Sequence, residues 1–350
     1  MSHTICTFNV NNLFARYKFG QTFPGDMSAK SKVENAEFGY LPTYSPGLFD
    51  LFNPAQRDLE AMAITRGGKV LPDVLCLQEV ESVLALRKFN EEHIGKAMKK
   101  KYKYALVIDS RDFRQIDVGI LSNLDILDVR SHVDDIDPAP ESKKDQYVFS
   151  RDCLEIDLAL NGSGSQALTL FINHLKSKLA LTPAERKKAD KRRQRQAKAV
   201  REIVRARFPG DTFNQALFAV VGDFNDEPGS APVQPLVHEA GLIDALTRLP
   251  HDQRWTHWYA SENAVSQLDY ILLSPALDAA TPGSQPQIER RGLGFARFLA
   301  NGKSGPKLTY LHKMEADPDP TPIDFQFARF NGITPDTCAS DHCPVFLQVP

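Results

Sequence analysis

Short apolar-rich runs recur along the chain, and several of them carry acidic or amide residues at one end. Runs of this length predict buried strands. They cover 4–10, 74–77, 104–108, 118–121, 154–160, 168–173, 217–221, 268–273 and 344–349. Helical spacing predicts helices over 56–65, 82–100 and 183–207, with Ser82 as the N-cap of the second. Because strands alternate with helices and with other strands, the pattern predicts mixed sheets with helices outside, in a single domain over 1–350.

Two long stretches interrupt this pattern. The first, 11–54, is irregular and rich in glycine, proline and aromatic residues, and the second, 274–339, has only patchy strand character. Insertions of this length often serve a function or face a partner. The aromatic residues of the first could stack on bases or cover a cleft, or could simply pack on the domain. Within it, 48–52 (LFDLF) is a weak candidate for a membrane-contacting loop.

No run of about 18 apolar residues occurs, so a membrane-spanning helix is not expected. The N-terminal sequence MSHTICTFNVNNLF lacks the basic and apolar segments of a secretory signal, so a cytoplasmic location is expected unless a leader has been removed. Five cysteines are scattered along the chain, and we interpret Cys6, Cys76 and Cys153 as buried free thiols. Cys338 and Cys343 have no second Cys/His pair at zinc-like spacing, so a zinc site is not expected.

Positive charge is concentrated in one segment. The chain carries a formal net charge of −2, but 184–207 holds eleven basic and three acidic residues, so this segment carries +8 and the rest −10. Such a segment is either a solvated outer helix or a track for a nucleic acid backbone. In both cases it has an apolar face for packing, made of Ala189, Ala197, Val200, Ile203 and Val204.

Four of the predicted strands carry acids or amides at one end, within TFNVNN, LCLQEVE, VVGDFNDEP and QLDYILLS. Ligands gather at the ends of buried strands because the sheet holds them rigidly, so a shared polar site is expected. Asp223 and Asn225 of VVGDFNDEP would project to the same side of an extended chain. There the carboxylate could align water and the amide could donate to a phosphoryl oxygen. A simple turn is the alternative interpretation of this sequence.

Other strand ends carry single candidates. Glu79, directly after a buried strand, could be a ligand for Mg²⁺, or an acid favoured by the N-terminus of the following helix. His342 has the pKa range that a general base requires, and Asp341 beside it could bind a metal. Both could reach one site from a loop before Pro344, although an Asp-His dipeptide alone has little specificity.

Asp269 and His174 complete the set of candidates. A carboxylate that enters an apolar strand, as Asp269 does, needs a partner, and a histidine in that place would have its tautomer fixed by the acid. A capping role or an ion pair is the alternative. His174 could donate to a phosphate oxygen, with Lys176 and Lys178 beside it as further phosphate contacts, or it could be a solvated strand end.

Taken together, these segments resemble the endonuclease/exonuclease/phosphatase superfamily. Seven stretches match in order over nearly the whole chain: TFNVNNLF, PDVLCLQEVE, FRQIDVGILS, INHLKSK, VVGDFNDEP, QLDYILLS and ASDHCPVF. INHLKSK followed by RRQRQAKAV is most similar to the bacterial predicted extracellular nucleases of this superfamily, which usually carry a secretion signal. The resemblance implies an α/β fold, a four-layer sandwich of two packed mixed sheets flanked by helices.

The resemblance also implies roles for the residues that handle metal and protons. Asn9 and Glu79 match the family's amide and metal-binding acid, and Asp341 matches a second metal-linked acid. His342 matches the general base, with Asp269 as the acid that orients it.

On the phosphate side, Asp223 and Asn225 match the pair that positions water and phosphate. His174 matches a phosphate-contacting histidine, and Arg114 matches an arginine found before the DVG strand. Arg151 is either a further phosphate contact or an ordinary surface charge.

These assignments imply hydrolysis of phosphodiester bonds that depends on Mg²⁺, with Mn²⁺ as a substitute, and favour a nuclease with nucleic acid as its substrate. No obligate protein partner is evident. The alternatives are a sphingomyelinase-like or other phosphoesterase of the same superfamily, and an inactive phosphate-binding module. Because Glu79, Asp223 and His342 are all present, the inactive module is the least favoured.

Overall fold

The computed structural model describes residues 2–17, 49–138, 140, 146–161, 166–178, 182–260, 264–294, 307–312, 322–334 and 337–350. Its strands are β1 (His3–Leu13), β2 (Ala15–Tyr17), β3 (Phe49–Leu51), β4 (Val74–Val80), β5 (Tyr104–Val107), β6 (Asp117–Ser122), β7 (Ile126–Arg130), β8 (Leu154–Ala159), β9 (Ala167–His174), β10 (Phe218–Asp223), β11 (Ile243–Asp244), β12 (His257–Tyr259), β13 (Ala264–Ser266), β14 (Asp269–Leu273), β15 (Gln287–Ile288), β16 (Lys307–His312), β17 (Pro322–Gln326) and β18 (Val345–Val349). Its α-helices are α1 (Pro54–Ile64), α2 (Val83–Phe89), α3 (Gly95–Met98), α4 (Pro183–Arg207), α5 (Thr212–Gln215), α6 (Gln234–Val237) and α7 (Pro275–Ala280).

Two six-stranded sheets form the centre of the fold. Their strand orders are β15-β18-β1-β4-β6-β5 and β11-β14-β10-β9-β8-β7, and each mixes parallel and antiparallel neighbours. Aliphatic residues from both sheets, such as Val74 of the first and Leu170 of the second, pack in one core between them. The outer face of the second sheet packs against α4 through residues such as Val200, and that of the first packs against α1 and α2. The four-layer α/β sandwich is therefore confirmed.

A smaller sheet lies beside one end of the sandwich. Its strand order is β12-β13-β16-β17. The first residue of β12, His257, forms an isolated antiparallel bridge with His342, which lies just before β18. This contact brings the smaller sheet to the end of the sandwich where the polar strand ends meet.

Most of the predicted elements are confirmed, with boundaries that shift by a few residues. The long basic helix α4 has its predicted start and end, and its N-terminus is closed by a capping box. Ser82 is the N-cap of α2, but the predicted helix is interrupted by a π turn at Asn90–Ile94 before α3. All five cysteines are free, and Cys6, Cys76 and Cys153 are buried as predicted.

The two irregular stretches hold more regular structure than the pattern predicts. β1 continues through Asn11 and Asn12, and β2 pairs with β3. Leu51 is buried whereas Phe52 is 59% exposed, so the membrane-contacting loop at 48–52 stays a prediction. The second stretch contains α7 and the strands β15, β16 and β17. Residues 18–48, with most of the aromatic residues of the first stretch, lie outside the described residues, and the single-domain interpretation stays a prediction.

Candidate active site

Three candidate residues lie directly opposite one another on neighbouring strands of the second sheet, in a row that we call the rung. Asp223, the last residue of β10, is paired in register with His174 of β9 and with Asp269 of β14. Directly opposed residues of neighbouring strands place their side chains together, and His174 Nε2 lies 3.5 Å from Asp223 Oδ2. All three side chains are buried, so ordinary strand pairing fixes their spacing.

Gly222 allows β9 and β10 to approach each other closely next to this rung. Its φ is +133°, and a Cβ atom built there would lie 2.0 Å from the backbone oxygen of Asn173. Only glycine fits such a close approach without strain. A side chain at this position would push the two strands apart and separate His174 from Asp223.

His342 places its ring between two acids of the rung. Its Nδ1 atom is 2.8 Å from Asp269 Oδ2, and its Nε2 atom is 3.7 Å from Asp223 Oδ2. Thr256 Oγ1 also donates to Asp269 Oδ2, at 2.7 Å. An acid on Nδ1 fixes the imidazole tautomer and leaves Nε2 for the reacting atoms. The structure thus brings together the His–Asp pair that the sequence predicts.

Burial and neighbouring charges shift the pKa values of this cluster in different directions. Burial lowers the pKa of His342, but the carboxylates of Asp269 and Asp223 outweigh it and hold that pKa well above its usual 6.5. Burial raises the pKa of Asp223 from 3.8 to about 7, against the opposing charge of His342. Burial and the charge of Arg151 lower the pKa of His174 well below 6.5, so this ring is neutral at neutral pH.

Asn9 of β1 connects the first sheet to the rung. Its Nδ2 atom donates to Asp223 Oδ2 at 3.0 Å, and its Oδ1 atom accepts the backbone N–H of Asn11 at 3.0 Å. Its backbone oxygen accepts a hydrogen bond from Ser340 Oγ, which in turn accepts the backbone N–H of His342. The amide of Asn9 is therefore held on both sides, within the cluster that contains Asp223.

Glu79 reaches the site from a bulge in β4. The strand continues to Val80 and its register with β6 shifts between Gln78 and Val80, so the prediction that Glu79 follows the strand's end is wrong. Glu79 has a φ of +66°, and Asn12, whose backbone N–H donates to Glu79 Oε2 at 3.0 Å, has a φ of +63°. Positive φ is uncommon for residues other than glycine. This backbone turns the Glu79 side chain into the same cleft as the acids of the second sheet.

Asn225 reaches the site through a turn rather than along an extended chain. Its φ is +54°. Its backbone N–H donates to Asp223 Oδ1 at 2.7 Å, and its Nδ2 atom donates to Asp223 Oδ2 at 3.1 Å. The predicted strand alternation is wrong, yet both side chains meet because the Asp223 carboxylate accepts the hydrogen bonds that close the turn.

Arg114 and Arg151 share one acid. Arg151 NH2 lies 3.1 Å from Asp112 Oδ2 and Arg114 Nε lies 3.4 Å from Asp112 Oδ1. Arg151 is fully buried and donates to the backbone oxygen of Leu175, so the interpretation as a surface charge is wrong. Arg114 is partly exposed and lines the cleft, with Arg151 behind it.

The two lysines after His174 lie in different places. Lys178 lines the cleft and pairs with the buried carboxylate of Asp226 at 2.5 Å. Lys176 does not line the cleft, and its backbone N–H donates to the buried side chain of Gln196. Of the two, Lys178 is therefore the one that faces a ligand in the cleft.

The cleft has a volume of about 760 Å³. Seven of the eight principal candidates line it, and Asp269 lies behind His342. The seven are Asn9, Glu79, His174, Asp223, Asn225, Asp341 and His342. Arg114, Lys178 and Arg186 add positive charge to the same lining.

The model of the Endonuclease/Exonuclease/phosphatase family matches residues 6–342. The chain belongs to this family. It is accordingly a hydrolase of phosphoester bonds. No curated protein matches the chain.

Several solved structures share the family fold with this chain. The catalytic domain of human Nocturnin with bound sulfate is 14% identical, with 100% of this chain and 94% of that chain covered and a TM-score of 0.53. SmcL is 13% identical over 99% and 98% of the chains, with a TM-score of 0.53. A mannosyl-6-phosphatase from Bacteroides thetaiotaomicron is 15% identical over 99% of both chains, with a TM-score of 0.50. At these identities the likeness shows the fold alone.

No helix within the described residues is both long and apolar enough to cross a membrane.

His257 lies in this family member's cleft, although the sequence did not single it out. Its Nε2 atom lies 3.7 Å from Asp341 Oδ2, and its ring centroid lies 4.7 Å from that of His342. The Asp341 side chain is half exposed, and the neighbouring His257 and His342 hold its pKa below the usual 3.8. The alternation of His257 and Tyr259 in WTHWY, shortly before Asp269, was the signal that could have found it.

Among the described residues, two clusters have ligand atoms close enough together to hold a metal ion. They are His257 with Asp341 and His342, and Asp223 with Asp269 and His342; in each, the ligand atoms lie within 4.8 Å of one another. Members of the family typically use a divalent metal. Glu79 adds a carboxylate at the same cleft, with Oε1 4.0 Å from His174 Nε2.

Part of the charge of the basic helix α4 is paired within the chain. Four of its arginines pair with acids: Arg193 with Asp226, Arg195 with Asp137, Arg201 with Glu239 and Arg207 with Glu155. Its N-terminal turns reach the cleft, where Arg186 and Asp190 line the wall. A nucleic acid track along the whole helix is therefore less favoured than a contact near its start.

Proposed function

We propose that this hydrolase is a phosphodiesterase that cuts nucleic acid and depends on Mg²⁺, with Mn²⁺ as a substitute. The observation that carries the proposal is the His342–Asp269 pair, whose Nε2 atom faces the buried carboxylate of Asp223 inside an open cleft. Because the pKa of His342 is raised, Nε2 must lose its own proton before it can act as a base. A phosphodiester in this cleft meets a base, an acid and amide donors at one point.

Glu79 and Asn9 are the residues that we assign to the metal. Side-chain oxygens from carboxylates and amides suit a hard ion such as Mg²⁺, and both residues line the cleft beside Asp223. A divalent ion held there would neutralise charge on the non-bridging oxygens of the phosphate. Asp341 stays a second candidate ligand, in competition with its contact to His257.

His342 and Asp223 act on the attacking water. Nε2 of His342 accepts a proton from water while the water oxygen forms its bond to phosphorus, and the bond between phosphorus and the leaving oxygen breaks. Asp269 stabilises the imidazolium that results. Asp223 accepts a hydrogen bond from the water and aligns it. The leaving oxygen takes its proton from solvent.

His174, Asn225 and Arg114 contact the phosphate. The lowered pKa of His174 keeps its ring neutral, and its Nδ1 atom has no hydrogen-bond partner among the described residues, which favours a proton on Nε2. That N–H is a donor placed where negative charge develops. The amide of Asn225 donates to Asp223 and to the backbone oxygen of Leu175, so it would exchange one of these hydrogen bonds for the phosphate. Arg114 adds a cation, while the buried Arg151 supports it through Asp112 rather than touching the substrate.

Nucleic acid is the substrate that we propose. The cleft lining holds more acids than cations, so a bound divalent ion would be needed to offset the acids before a polyanion could approach. Arg114, Lys178 and Arg186 lie in the same lining as the reacting groups, and spaced cations of this kind fit a chain of phosphates. A sphingomyelinase-like enzyme, a small-phosphoester hydrolase and an inactive module are the alternatives that the experiment must separate.

The test is cleavage of supercoiled plasmid, single-stranded DNA and RNA with Mg²⁺, with bis-p-nitrophenyl phosphate and sphingomyelin in parallel. Glu79→Ala and His342→Ala should abolish nucleic acid cutting, whereas Glu202→Ala and His251→Ala, exposed residues outside the cleft lining, should not. Hydrolysis of only the lipid or the small diester would overturn the nuclease assignment and keep the mechanism. No cleavage with Mg²⁺ or Mn²⁺ would favour the inactive module.

A further inference from the structure

A series of three rings runs from His342, the proposed general base, to the exposed wall of the cleft. The centroids of His342 and His257 are 4.7 Å apart, and those of His257 and Tyr259 are 6.5 Å apart with an angle of 24° between their planes. His342 is buried, whereas Tyr259 is 51% exposed. The Tyr259 ring therefore lies no farther from the His342 ring than the sum of these two spacings.

The alternation of β12 explains this arrangement. Side chains two residues apart on a strand share a face, so His257 and Tyr259 both line the cleft while Trp258 between them is buried in an apolar cluster with Val265. The cross-strand partner of Tyr259 is Ala264, whose methyl group is too small to cover the ring. The strand thus presents an aromatic ring to the cleft.

The exposed ring is informative because the apolar residues next to it, Ala264 and Val265, line the cleft but are buried. Of the described residues that line the cleft, only Tyr259 is an exposed large hydrophobic side chain, so the wall lacks the continuous exposed apolar surface that a lipid chain needs. A flat aromatic side chain next to a phosphate site is the arrangement that binds unpaired bases by stacking, and stacking tolerates any base sequence.

We infer that Tyr259 is a stacking platform for an unpaired base within one or two nucleotides of the scissile phosphate, so that the preferred substrate is single-stranded nucleic acid. This inference rests on the proposed nuclease function. The tyrosine ring contributes to substrate binding, and the two histidines between it and the scissile phosphate hold it at a fixed spacing from the reacting atoms.

The experiment compares Tyr259→Leu, which removes the ring, with Tyr259→Phe, which keeps it. The substrates are a short single-stranded DNA and the same strand with abasic sites on both sides of the cut. Tyr259→Leu should raise KM for the normal strand about 5- to 100-fold, as expected for the loss of a base stack. It should change KM for the abasic strand and kcat for both strands little, and Tyr259→Phe should match the wild type.

Binding without turnover gives a second readout. The binding assay uses the His342→Gln background and follows the fluorescence anisotropy of a labelled single strand. Tyr259→Leu should show the same loss of affinity in this assay. Phe52→Leu, which changes an exposed ring outside the cleft lining, should show no loss. An equal loss of kcat on both strands would mean that the ring only supports His257 and would overturn the platform. If the wild type cuts lipid or small diesters but no nucleic acid, the proposed function itself is wrong. If the wild type cuts nucleic acid and Tyr259→Leu cuts it equally well, the proposed function stands and only the stacking platform is overturned.

Discussion

The two central sheets supply their parts of the site in different ways. On the second sheet, His174, Asp223 and Asp269 are register partners on neighbouring strands. On the first sheet, Asn12 and Glu79 are placed by backbone with positive φ, in a bulged strand. The acid and histidine cluster is therefore fixed by ordinary strand pairing, whereas the part that we assign to the metal depends on strained backbone, which persists only where its surroundings hold it.

A buried arginine stabilises the strained part. Arg57 of α1 donates from NH1 to the backbone oxygen of Val10 at 3.2 Å and from NH2 to that of Asn11 at 3.4 Å. It is itself paired with buried Glu60 at 3.1 Å. The second sheet needs no such anchor for its rung, because the strand hydrogen bonds already define it. Substitutions on the two sheets should consequently impair different properties of the enzyme, proton transfer on the second sheet and metal binding on the first.

The largest expected effect separates proton transfer from metal binding. His342→Gln should lower kcat about 10²- to 10⁴-fold, because the general base is lost, while the affinity for Mn²⁺ measured by calorimetry changes little. Glu79→Gln should weaken Mn²⁺ binding as well as lower kcat. Equal loss of Mn²⁺ affinity in the two variants would break the proposed division between the sheets.

Asp269→Asn should lower activity less, by about 10- to 100-fold, as expected for an acid behind a functional histidine. The carboxylate of Asp269 raises the pKa of His342 against the effect of burial, so its removal should lower that pKa. A base must be deprotonated to accept a proton, so kcat/KM should rise with pH, and its rising limb should move to lower pH in the variant. An unmoved limb would show that His342 is not the group that titrates.

Asp223→Asn should change how the stability of the metal-free protein depends on pH. Burial raises the pKa of Asp223 to about 7, above that of an unfolded chain. The resulting contribution to stability is fully present below about pH 4 and is lost as the pH rises through about 7. The free energy of unfolding of the variant, relative to wild type, should therefore be higher at pH 8 than at pH 5 by more than about 1 kcal/mol. Asp252→Asn, at an exposed acid, should show no such trend in denaturant titrations with EDTA.

The smallest effect concerns the strained backbone itself. Asn12→Ala should lower the free energy of unfolding by about 1 kcal/mol, because alanine tolerates positive φ poorly. Asn12→Gly keeps both the conformation and the N–H that donates to Glu79, so its Mn²⁺ affinity should stay near that of the wild type. Indistinguishable melting curves for Ala and Gly would argue against strain at this turn.

The sequence was sufficient to predict the sandwich and the candidates at the strand ends. Asp223 and Asp269 could be found because a polar residue at the end of an apolar strand is visible in the pattern, and the register of the sheet then brings them together. The resemblance predicted His342 as the partner of Asp269, and the structure places them 2.8 Å apart. The functional roles of these residues stay predictions.

Features that depend on tertiary contacts could not be predicted in this way. The bulge at Glu79 involves a hydrogen bond from the backbone of another strand, and strand alternation does not encode it. The turn at Asn225 is local, since it is closed on Asp223, and it agrees with the alternative interpretation of the sequence. The burial of Arg151 depends on Asp112, which is far from it in sequence. His257 was missed because its short strand belongs to the smaller sheet, whose position beside His342 follows only from the assembled fold.

Gly222 has a consequence for how related sequences should be compared. It carries no functional group, yet a single methyl group there would collide with the backbone of β9 at 2.0 Å. A chain that kept every acid and histidine but carried alanine at this position would look intact in any survey of catalytic side chains. In such a chain His174 and Asp223 would nevertheless be too far apart to act together. The presence of glycine at this position therefore indicates whether the catalytic side chains can still come together.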